Sequence, residues 1–353
     1  MIAEASGSQT SQCTVLAEAE FPAWDHFVSE HPDASIYHLS IWRHIFGKAF
    51  GKQWFVVGIL QDGRMRGGVP LVHMRSSLFG NFLVSMPYVN YGGLLVEDDA
   101  LVEPILQCAV ELGRQLKVQY LELRHLKNHY PELPVRTEKV SMWLSLPKTA
   151  EELLGSFKPK LRSQIRKGEK NGLMIKSGGV ELLDDFYGVL SHNWRDLGTP
   201  VYGKDLFALI LEAFPKSARL FVVADAERHP LAVGFLLGYR DRVEIPWASS
   251  LRKFNHLQSN MFLYWNCLKY ACDEGYRVFD FGRSTVESST FKFKEQWGAR
   301  PITHYWHYYL KGRREVPYLN RQNPKFRLAS SLWQWLPVSV TRLLGPSIAQ
   351  HLP

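Results

Sequence analysis

The sequence predicts an α/β (α+β) fold of two similar tandem domains, each a mixed β-sheet flanked by helices. The chain has 353 residues, 46% hydrophobic and 22% charged, which is ordinary globular composition and long enough for two domains. The segments FVVGILQDGRMRGGVPL (55–71) and FVVADAERHPLAVGFLL (221–237) align in phase. Self-similarity at this long period indicates a tandem duplication, although any two α/β units share part of such a pattern.

The first half of the chain alternates strand and helix patterns. A hairpin is predicted around Asp62-Gly63, because this dipeptide between two apolar runs is a strong turn signal. The predicted elements are, in order, helices at 21–35 and 41–51, strands at 53–60, 67–77 and 82–87, a helix at 101–116 and a strand at 118–126.

The second half repeats this order. The predicted elements are strand–turn–strand at 219–240, a strand at 243–250, a helix at 259–275 and a strand at 276–284. Overlaying 120–124 on 278–282 places Glu122 and Asp280 at equivalent points. We therefore divide the chain into a first domain (1–147), a second domain (148–310) and a basic, Pro-rich tail (311–353) with an amphipathic helix.

Targeting and redox signals favour a cytoplasmic protein. The four cysteines do not form a disulfide framework and are interpreted as buried hydrophobic residues in a reducing compartment. The N-terminus lacks the pattern of a secretory signal, and the longest apolar run, 332–340, is interrupted by Pro337. The tail helix either docks on its own domain, the commoner arrangement, or contacts the inner membrane peripherally.

Basic residues are concentrated in one short segment. The formal net charge is +8, and residues 156–176 alone carry seven Lys or Arg and the single acid Glu169. Pro159 suits the first turn of a helix here, and Arg162, Arg166 and Lys170 recur on one face of it. Arginine in such a row can grip phosphate, so the face is a candidate site for an anionic partner. The alternative is a solvated surface, which the near-absence of acids disfavours.

The segment TFKFKEQWG (290–298) alternates lysine and phenylalanine. Read as an extended strand, it directs Phe291 and Phe293 to one side and Lys292 and Lys294 to the other. A lysine held in a cleft could stabilise a developing oxyanion. The alternative is an edge strand that lysine protects against aggregation.

Other candidate residues carry weaker signals. Asp280 in FDFGRS is either a base or a partner of Arg283. The segments SMPYVNYGG (85–93) and WASS (247–250) suit pocket linings and turns equally well. No phosphate-binding glycine loop occurs, and the histidine pairs lack metal-ligand spacing, so no metal site is predicted.

Three of these segments together resemble the FemABX family of peptidyl and aminoacyl transferases. LRSQIRKGEKNGL (161–173) is similar to its Arg-rich segment, with Gly168 in place of the usual alanine. FKFKEQWG (291–298) is similar to its F-K-x-x-F/W-G motif, in which the lysine corresponds to Lys294. The span from ARLFVVAD through FDFGRS (218–284) is similar to its second acetyltransferase-like domain. The nearest resemblance is to the FemAB-like branch associated with PEP-CTERM/exosortase and exopolysaccharide systems, through segments such as RDLGTPVYGK (195–204) and the GPSIAQHLP (345–353) ending.

The resemblance implies tandem domains of the GCN5-related N-acetyltransferase (GNAT) fold and acyl transfer to an amine. By this resemblance, Lys294 stabilises the charge on the transferring carbonyl. Arg162 and Arg166 lie near an anionic substrate or tRNA. The cleft of the first domain is shaped by Pro87, Tyr91 and Gly92. The remaining expected substrate-binding residues are Arg195, Tyr202, Trp247, Asn260 and Arg283. The sequence lacks the long helical-hairpin insertion that some family members use with tRNA. The coenzyme A pyrophosphate loop of true acetyltransferases is not recognisable between Ser249 and Asn260, so the resemblance leaves the acyl donor open.

We therefore predict an acyltransferase that forms an amide on an amine of a cell-envelope or exopolysaccharide precursor. Its donor would be aminoacyl-tRNA or another activated acyl compound, with no cofactor and no specific DNA binding. Lys294 and Asp280 are the predicted catalytic residues, and the amine proton could pass to Asp280, to water or to the substrate itself. The alternatives are an acyl-coenzyme A-dependent N-acyltransferase and a non-enzymatic module that binds nucleic acid or anionic glycan.

Overall fold

The computed structural model describes residues 12–76, 80–312, 316 and 324–352. These residues divide into two compact units. Unit 1 comprises the described residues within 1–47, 51–136 and 305–316, and unit 2 comprises those within 48–50, 137–304 and 317–353.

The elements are numbered along the chain. The first ten are β1 (Gln12–Val15), α1 (Phe21–Glu30), α2 (Trp42–Phe50), β2 (Gln53–Gln61), β3 (Arg64–Ser76), β4 (Gly80–Val84), β5 (Leu95–Val96), α3 (Val102–Gln115), β6 (Tyr120–His125) and β7 (Val135–Arg136). The next eight are β8 (Lys139–Ser145), α4 (Ala150–Ser156), α5 (Pro159–Lys170), β9 (Met174–Gly178), α6 (Leu183–Asp196), α7 (Lys204–Ala213), β10 (Ala218–Ala224) and β11 (Pro230–Tyr239). The last eight are β12 (Arg242–Ser250), α8 (Ser259–Asp273), β13 (Val278–Thr285), α9 (Ser289–Glu295), β14 (Arg300–Thr303), β15 (Tyr305–Leu310), α10 (Pro324–Trp335) and α11 (Val338–Ala349).

Each unit contains one mixed sheet, and the two sheets have the same strand order. The unit 1 sheet runs β1-β2-β3-β4-β6-β15-β7, with β5 paired to β3, and the unit 2 sheet runs β9-β10-β11-β12-β13-β8-β14. Among the described strands, the parallel pairs are β4 with β6 and β12 with β13, at the same place in the two sheets. The shared order confirms the predicted fold class of two similar mixed α/β domains.

Two strands complete sheets that lie far from them in sequence. In unit 1, β15 pairs with β6 and β7, and in unit 2, β8 pairs with β13 and β14. The compact units consequently place 137–147 with the second sheet and 305–310 with the first, whereas the boundaries predicted from the sequence are at 147/148 and 310/311. These pairings join residues distant in sequence, which a local hydrophobic pattern does not report.

Several elements begin and end where local sequence signals predict. The β2–β3 hairpin turns at Asp62 and Gly63, which have φ of 53° and 74°. Helix α5 begins at Pro159 and is followed by Gly172, at φ 69°. Leu161 and Ile165 of α5 are buried, as its apolar stripe predicts.

The predicted strand at 290–298 is wrong, because Ser289–Glu295 forms helix α9. Ser288 caps this helix, and its Oγ accepts a hydrogen bond from the backbone N–H of Phe291 over 3.2 Å. Residues two apart on a helix lie about 200° around the axis, so Lys292 and Lys294 point in opposite directions. Lys292 is exposed and Lys294 is buried, which contradicts their predicted common facing.

The C-terminal helices dock on unit 2. Arg342 of α11 donates from Nε to the Ser191 hydroxyl of α6 over 2.7 Å, and Arg195 donates to the carbonyl of Leu336 over 3.0 Å. Within the predicted tail, residues 313–315, 317–323 and 353 lie outside the described part of the chain. The helices that the structure describes include none with the length and apolar character needed to span a bilayer.

Candidate active site

The parallel strands at the centre of the unit 2 sheet separate partway along their length. Their register runs from Arg242 opposite Val278 to Glu244 opposite Asp280. Strand β12 then continues to Ser250 and β13 to Thr285 without further pairing between them. The sheet therefore opens beyond Asp280, and functional side chains placed there lie at a break in the hydrogen-bonded ladder.

A bulge in β13 marks the start of this opening. The register between β13 and β8 shifts between Asp280 and Arg283, and Gly282 within the bulge has φ 71°. Glycine adopts this left-handed conformation without the steric penalty that a side chain would add. The bulge turns two successive carbonyl groups, those of Gly282 and Arg283, toward helix α9.

Lys294 of α9 occupies the bulge. Its Nζ donates to the carbonyl oxygens of Gly282 and Arg283 over 2.9 and 3.0 Å, and the residue is 7% exposed. Burial lowers the pKa of Lys294 to about 8, against the opposing effect of the Asp280 and Glu244 carboxylates. An ammonium group has three N–H donors, and the third has no partner among the described residues.

Asp280 holds the bulge from its other side. One carboxylate oxygen accepts from the backbone N–H of Gly282 and the other from Nε1 of Trp143, each over 2.8 Å. Asp280 is fully buried, and this burial raises its pKa, an effect that Arg242 opposes. Both oxygens of the carboxylate thus already accept hydrogen bonds that fix backbone and ring positions.

Three residues beside this cluster were not singled out by the sequence analysis. Glu244 is buried directly opposite Asp280 in the parallel register, and its charge raises the pKa of Lys294. The guanidinium of Arg242 lies 4.5 Å from the centre of the Trp143 ring. Glu244 had a usable signal, since it is the one acid in the apolar strand VEIPWASS and a buried acid needs a partner.

The equivalent place in unit 1 is filled by the chain itself. The backbone N–H of Ser85 donates to the carbonyl of Glu122, and the Ser85 hydroxyl accepts from the N–H of Arg124 over 2.6 Å. The Arg124 guanidinium forms a buried ion pair with Glu122 at 2.6 Å. Segment 85–95 therefore packs where unit 2 has its opening.

The predicted first-domain cleft residues belong to this filling segment. Pro87, Tyr91 and Gly92 are all buried. A Cβ on Gly92 would clash with the Met86 side chain, and the Tyr91 ring packs edge-on against Tyr37 at 5.8 Å. Packing accounts for these three residues within unit 1.

Two further predicted residues, Arg195 and Tyr202, form contacts that involve helix α6. The Arg195 guanidinium donates to the Asp196 carboxylate over 2.7 Å and to the carbonyl of Leu336 over 3.0 Å. The carbonyl of Tyr202 accepts from the Tyr187 hydroxyl. Arg195 thus links α6 to the C-terminal helices.

The other three predicted residues lie on β12, α8 and β13. Trp247 packs edge-on in the aromatic core, 5.1 Å from Phe207 and 5.3 Å from Phe235. Asn260 is half-buried in the first turn of α8. Arg283 is half-buried, and its carbonyl contacts Lys294 directly. The structure therefore brings together Lys294, Asp280 and Arg283 from the predicted set.

The outer face of α5 forms a second candidate region. A shallow concavity of about 430 Å³ is lined by Pro159, Arg162, Ser163, Arg166, Lys167 and Lys170. Across the described part of the chain, none of its four basic side chains forms an ion pair. Uncompensated cations in one concavity suit an anionic ligand such as phosphate.

The described residues contain no group of three His, Cys, Asp or Glu side chains placed to hold a metal ion.

Comparison with known proteins agrees with this architecture. Residues 155–295, which contain α5, the opening and Lys294, match the family described as "Acetyltransferase (GNAT) domain". The fold is similar to the crystal structure of FemX, with a TM-score of 0.60 and 16% identity over 82% of this chain and 96% of that one. It is also similar to L-PGS from Bacillus licheniformis, with a TM-score of 0.55 and 14% identity over 94% and 98% of the two chains.

A third similar structure is a tandem GNAT protein from the clavulanic acid biosynthesis pathway. Its TM-score is 0.55, at 10% identity over 87% of this chain and 100% of that chain. No curated protein sequence matches the chain. The chain thus has a tandem GNAT fold, and the match to its second unit confirms, at the level of the domain, the prediction of an acyltransferase.

Proposed function

We propose that the chain forms an amide bond by acyl transfer to an amine, at the opening between β12 and β13. The observation that carries this proposal is the buried Lys294 ammonium, which has two carbonyl partners and one N–H donor without a partner among the described residues. The acetyltransferase-domain match includes this residue and both strands of the opening.

The reaction needs a positioned donor to a developing negative charge. The neutral amine attacks the activated acyl carbon, a C–N bond forms, and the electron pair of the broken acyl bond leaves with the donor's oxygen or sulfur. Lys294 donates its third N–H to the acyl oxygen as negative charge builds there. When water is excluded, such a donor raises the rate roughly 10²- to 10³-fold. The burial of Lys294 helps to exclude water.

Asp280 acts by positioning Lys294 in this account. The two carboxylate oxygens of Asp280 accept hydrogen bonds from Gly282 and Trp143 that fix the bulge around Lys294, so we assign Asp280 to positioning and not to proton transfer. We assign the amine proton to water or to the leaving group, which gains it as the acyl bond breaks. The predicted role of Asp280 as general base is therefore the less favoured alternative.

The α5 face suits a substrate that carries phosphate. Arg162 and Arg166 line its concavity together with Lys167 and Lys170. An aminoacyl-tRNA donor and a diphosphate-linked acceptor both supply phosphate groups, and guanidinium groups bind them through paired hydrogen bonds.

The finer assignment rests on the sequence motifs. The arginine-rich segment of α5 and FKFKEQWG support a place in the FemABX family. The segments RDLGTPVYGK (195–204), MPYVNYGG (86–93) and GPSIAQHLP (345–353) support its PEP-CTERM/exosortase-associated branch. On that basis the acceptor is an amine of a cell-envelope or exopolysaccharide precursor, the donor is aminoacyl-tRNA, and the enzyme acts in the cytoplasm. The acetyltransferase-domain match favours acyl-coenzyme A as the second candidate donor.

A donor screen tests the proposal. Purified protein is incubated with charged total tRNA or with a series of acyl-coenzyme A thioesters, each with an amino-sugar nucleotide and a lysine-containing precursor peptide. Mass spectrometry then detects amide products. We expect acylation from one donor class, lost in Lys294→Met and retained in Lys292→Met, whose side chain is exposed on the same helix. Nucleic-acid binding without transfer from any donor would instead support a binding module and overturn the proposal.

A further inference from the structure

The C-terminal helix α11 docks on unit 2 through small side chains. Thr341, Gly345 and Ala349, spaced four apart, are buried. A Cβ on Gly345 would lie 2.9 Å from the carbonyl oxygen of Val201, so the helix approaches the domain closely at this point. The buried stripe of α11 therefore contains little apolar side-chain surface.

The large apolar side chains of α11 point away from the domain. Leu343 is 77% exposed, and Leu344 and Ile348 are also exposed. A helix that docks on its own domain normally buries such residues and exposes its polar ones. The burial pattern of α11 is thus reversed, and docking does not explain why these positions are apolar.

Helix α10 shows the same reversal. Ser330 donates from Oγ to the carbonyl of Gly198, and Gln334 donates from Nε2 to the carbonyl of Asp196, each over 3.1 Å. Leu328, Leu332 and Trp335 are 62%, 61% and 87% exposed. At about 100° per residue, these three lie on the side of the helix opposite Ser330 and Gln334. We call the six outward residues Leu328, Leu332, Trp335, Leu343, Leu344 and Ile348 the tail surface.

The sequence of the tail is strongly basic. Residues 311–352 contain seven Lys or Arg and one acid, Glu315, so that this stretch carries +6. From Val316 to Leu352 the sequence contains no Asp or Glu. Lipid membranes with acidic headgroups attract such segments, and Trp with Leu is the side-chain combination that enters the membrane interface.

We infer that the tail surface binds the face of an anionic phospholipid membrane, with Trp335 and the leucines inserted at the headgroup level. A second copy of the chain fits less well, because it would bring two positively charged surfaces together. The inference concerns where the protein acts and does not depend on the acyl-transfer chemistry proposed for Lys294.

Vesicle co-sedimentation tests the inference with the full chain. Vesicles of phosphatidylcholine alone are compared with vesicles that contain phosphatidylglycerol, at low and high salt. We expect binding to the anionic vesicles, weakened by salt, and a loss of about tenfold or more in affinity for L332S/W335S. Val180→Ser is the matched control, because Val180 is an exposed apolar residue outside the tail, and its binding should equal that of the wild type.

Two further measurements make the outcome decisive. Thermal unfolding of L332S/W335S should match that of the wild type, since both side chains point outward. Sedimentation equilibrium reports self-association. Absence of vesicle binding, or equal binding by L332S/W335S and the wild type, would overturn the inference. So would a dimer that dissociates in L332S/W335S while vesicles remain unbound, because that result assigns the surface to a second copy.

Discussion

Glu122 and Asp280 each form the last register position of the parallel strand pair in their own sheet. The residue two positions later differs. In unit 1 it is Arg124, whose guanidinium pairs with Glu122, and in unit 2 it is Gly282, whose positive φ opens the bulge that receives Lys294. At this equivalent position of the two sheets, unit 1 has the Arg124 side chain, whereas unit 2 has a glycine bulge that binds Lys294.

Gly282→Ala should reduce transfer by disturbing this bulge. A Cβ at φ 71° costs roughly 1–2 kcal/mol of stability and displaces the carbonyls that bind Lys294. Gly275→Ala is the control, because Gly275 has φ 78° at the end of α8 with nothing within 4 Å of an added Cβ. Urea denaturation should show similar losses for both variants, with transfer reduced in Gly282→Ala alone. Equal transfer rates in the two variants would contradict the role of the bulge.

Gly168→Ala should destabilise unit 2 even though alanine is the better helix former. The added Cβ would lie 2.9 Å from Cβ of Phe262, where α5 and α8 meet. Propensity alone predicts a gain of about 1 kcal/mol, so the sign of the change separates the two effects. Gly155→Ala, with nothing within 4 Å, serves as the control and should not destabilise. A more stable Gly168→Ala would show that α8 moves aside without difficulty.

The exchange of Arg162 and Arg166 for alanine should weaken binding of a phosphate-bearing substrate. With labelled tRNA as the probe, we expect about tenfold weaker binding and a salt dependence reduced by about one to two ions. The double variant K158A/K160A removes the same charge from positions that do not line the concavity. If both double variants lost the same tRNA affinity, the α5 face would contribute only its overall positive charge and not a specific phosphate site.

Acid should destabilise unit 1 through two buried histidines. Burial lowers the pKa of His307 to about 4 and that of His125 well below its usual 6.5. The folded state then binds fewer protons than the unfolded state, so stability is full above pH 6.5 and is lost as pH falls toward 4. Each group adds a slope of at most about 1.4 kcal/mol per pH unit.

Chemical denaturation between pH 7.5 and 4.5 measures this slope. The variant His307→Asn should show a shallower dependence than the wild type, while the exposed His26→Gln controls for the number of histidines. If the free energy of unfolding of His307→Asn depended on pH as in the wild type, His307 would not contribute to the acid response.

The sequence predicted elements that local signals determine. Asp62-Gly63 marked its hairpin, and Pro159 with Gly172 bounded α5. Lys294 was identified through its motif, but its helix was mistaken for a strand because the Phe–Lys alternation over four residues imitates a strand period. Ser288 is a helix-capping residue, and this signal, which the prediction overlooked, marks the start of α9.

Other features depend on contacts that no local pattern contains. The pairing of β15 with β6 and of β8 with β13 joins distant segments. The position of Glu244 in the candidate site follows from the strand register, which places it opposite Asp280. The reason for a glycine at position 168 is likewise a tertiary contact, because Phe262 of α8 leaves no room for a Cβ there.

The catalytic role of Lys294 is tested by comparing the single-turnover transfer rates of Lys294→Met and Lys292→Met. Methionine keeps the length of the side chain and removes its charge, so the fold should persist, as circular dichroism can verify. We expect a rate roughly 10² to 10³ lower in Lys294→Met and a rate near that of the wild type in Lys292→Met. Transfer by folded Lys294→Met at the wild-type rate would contradict the account.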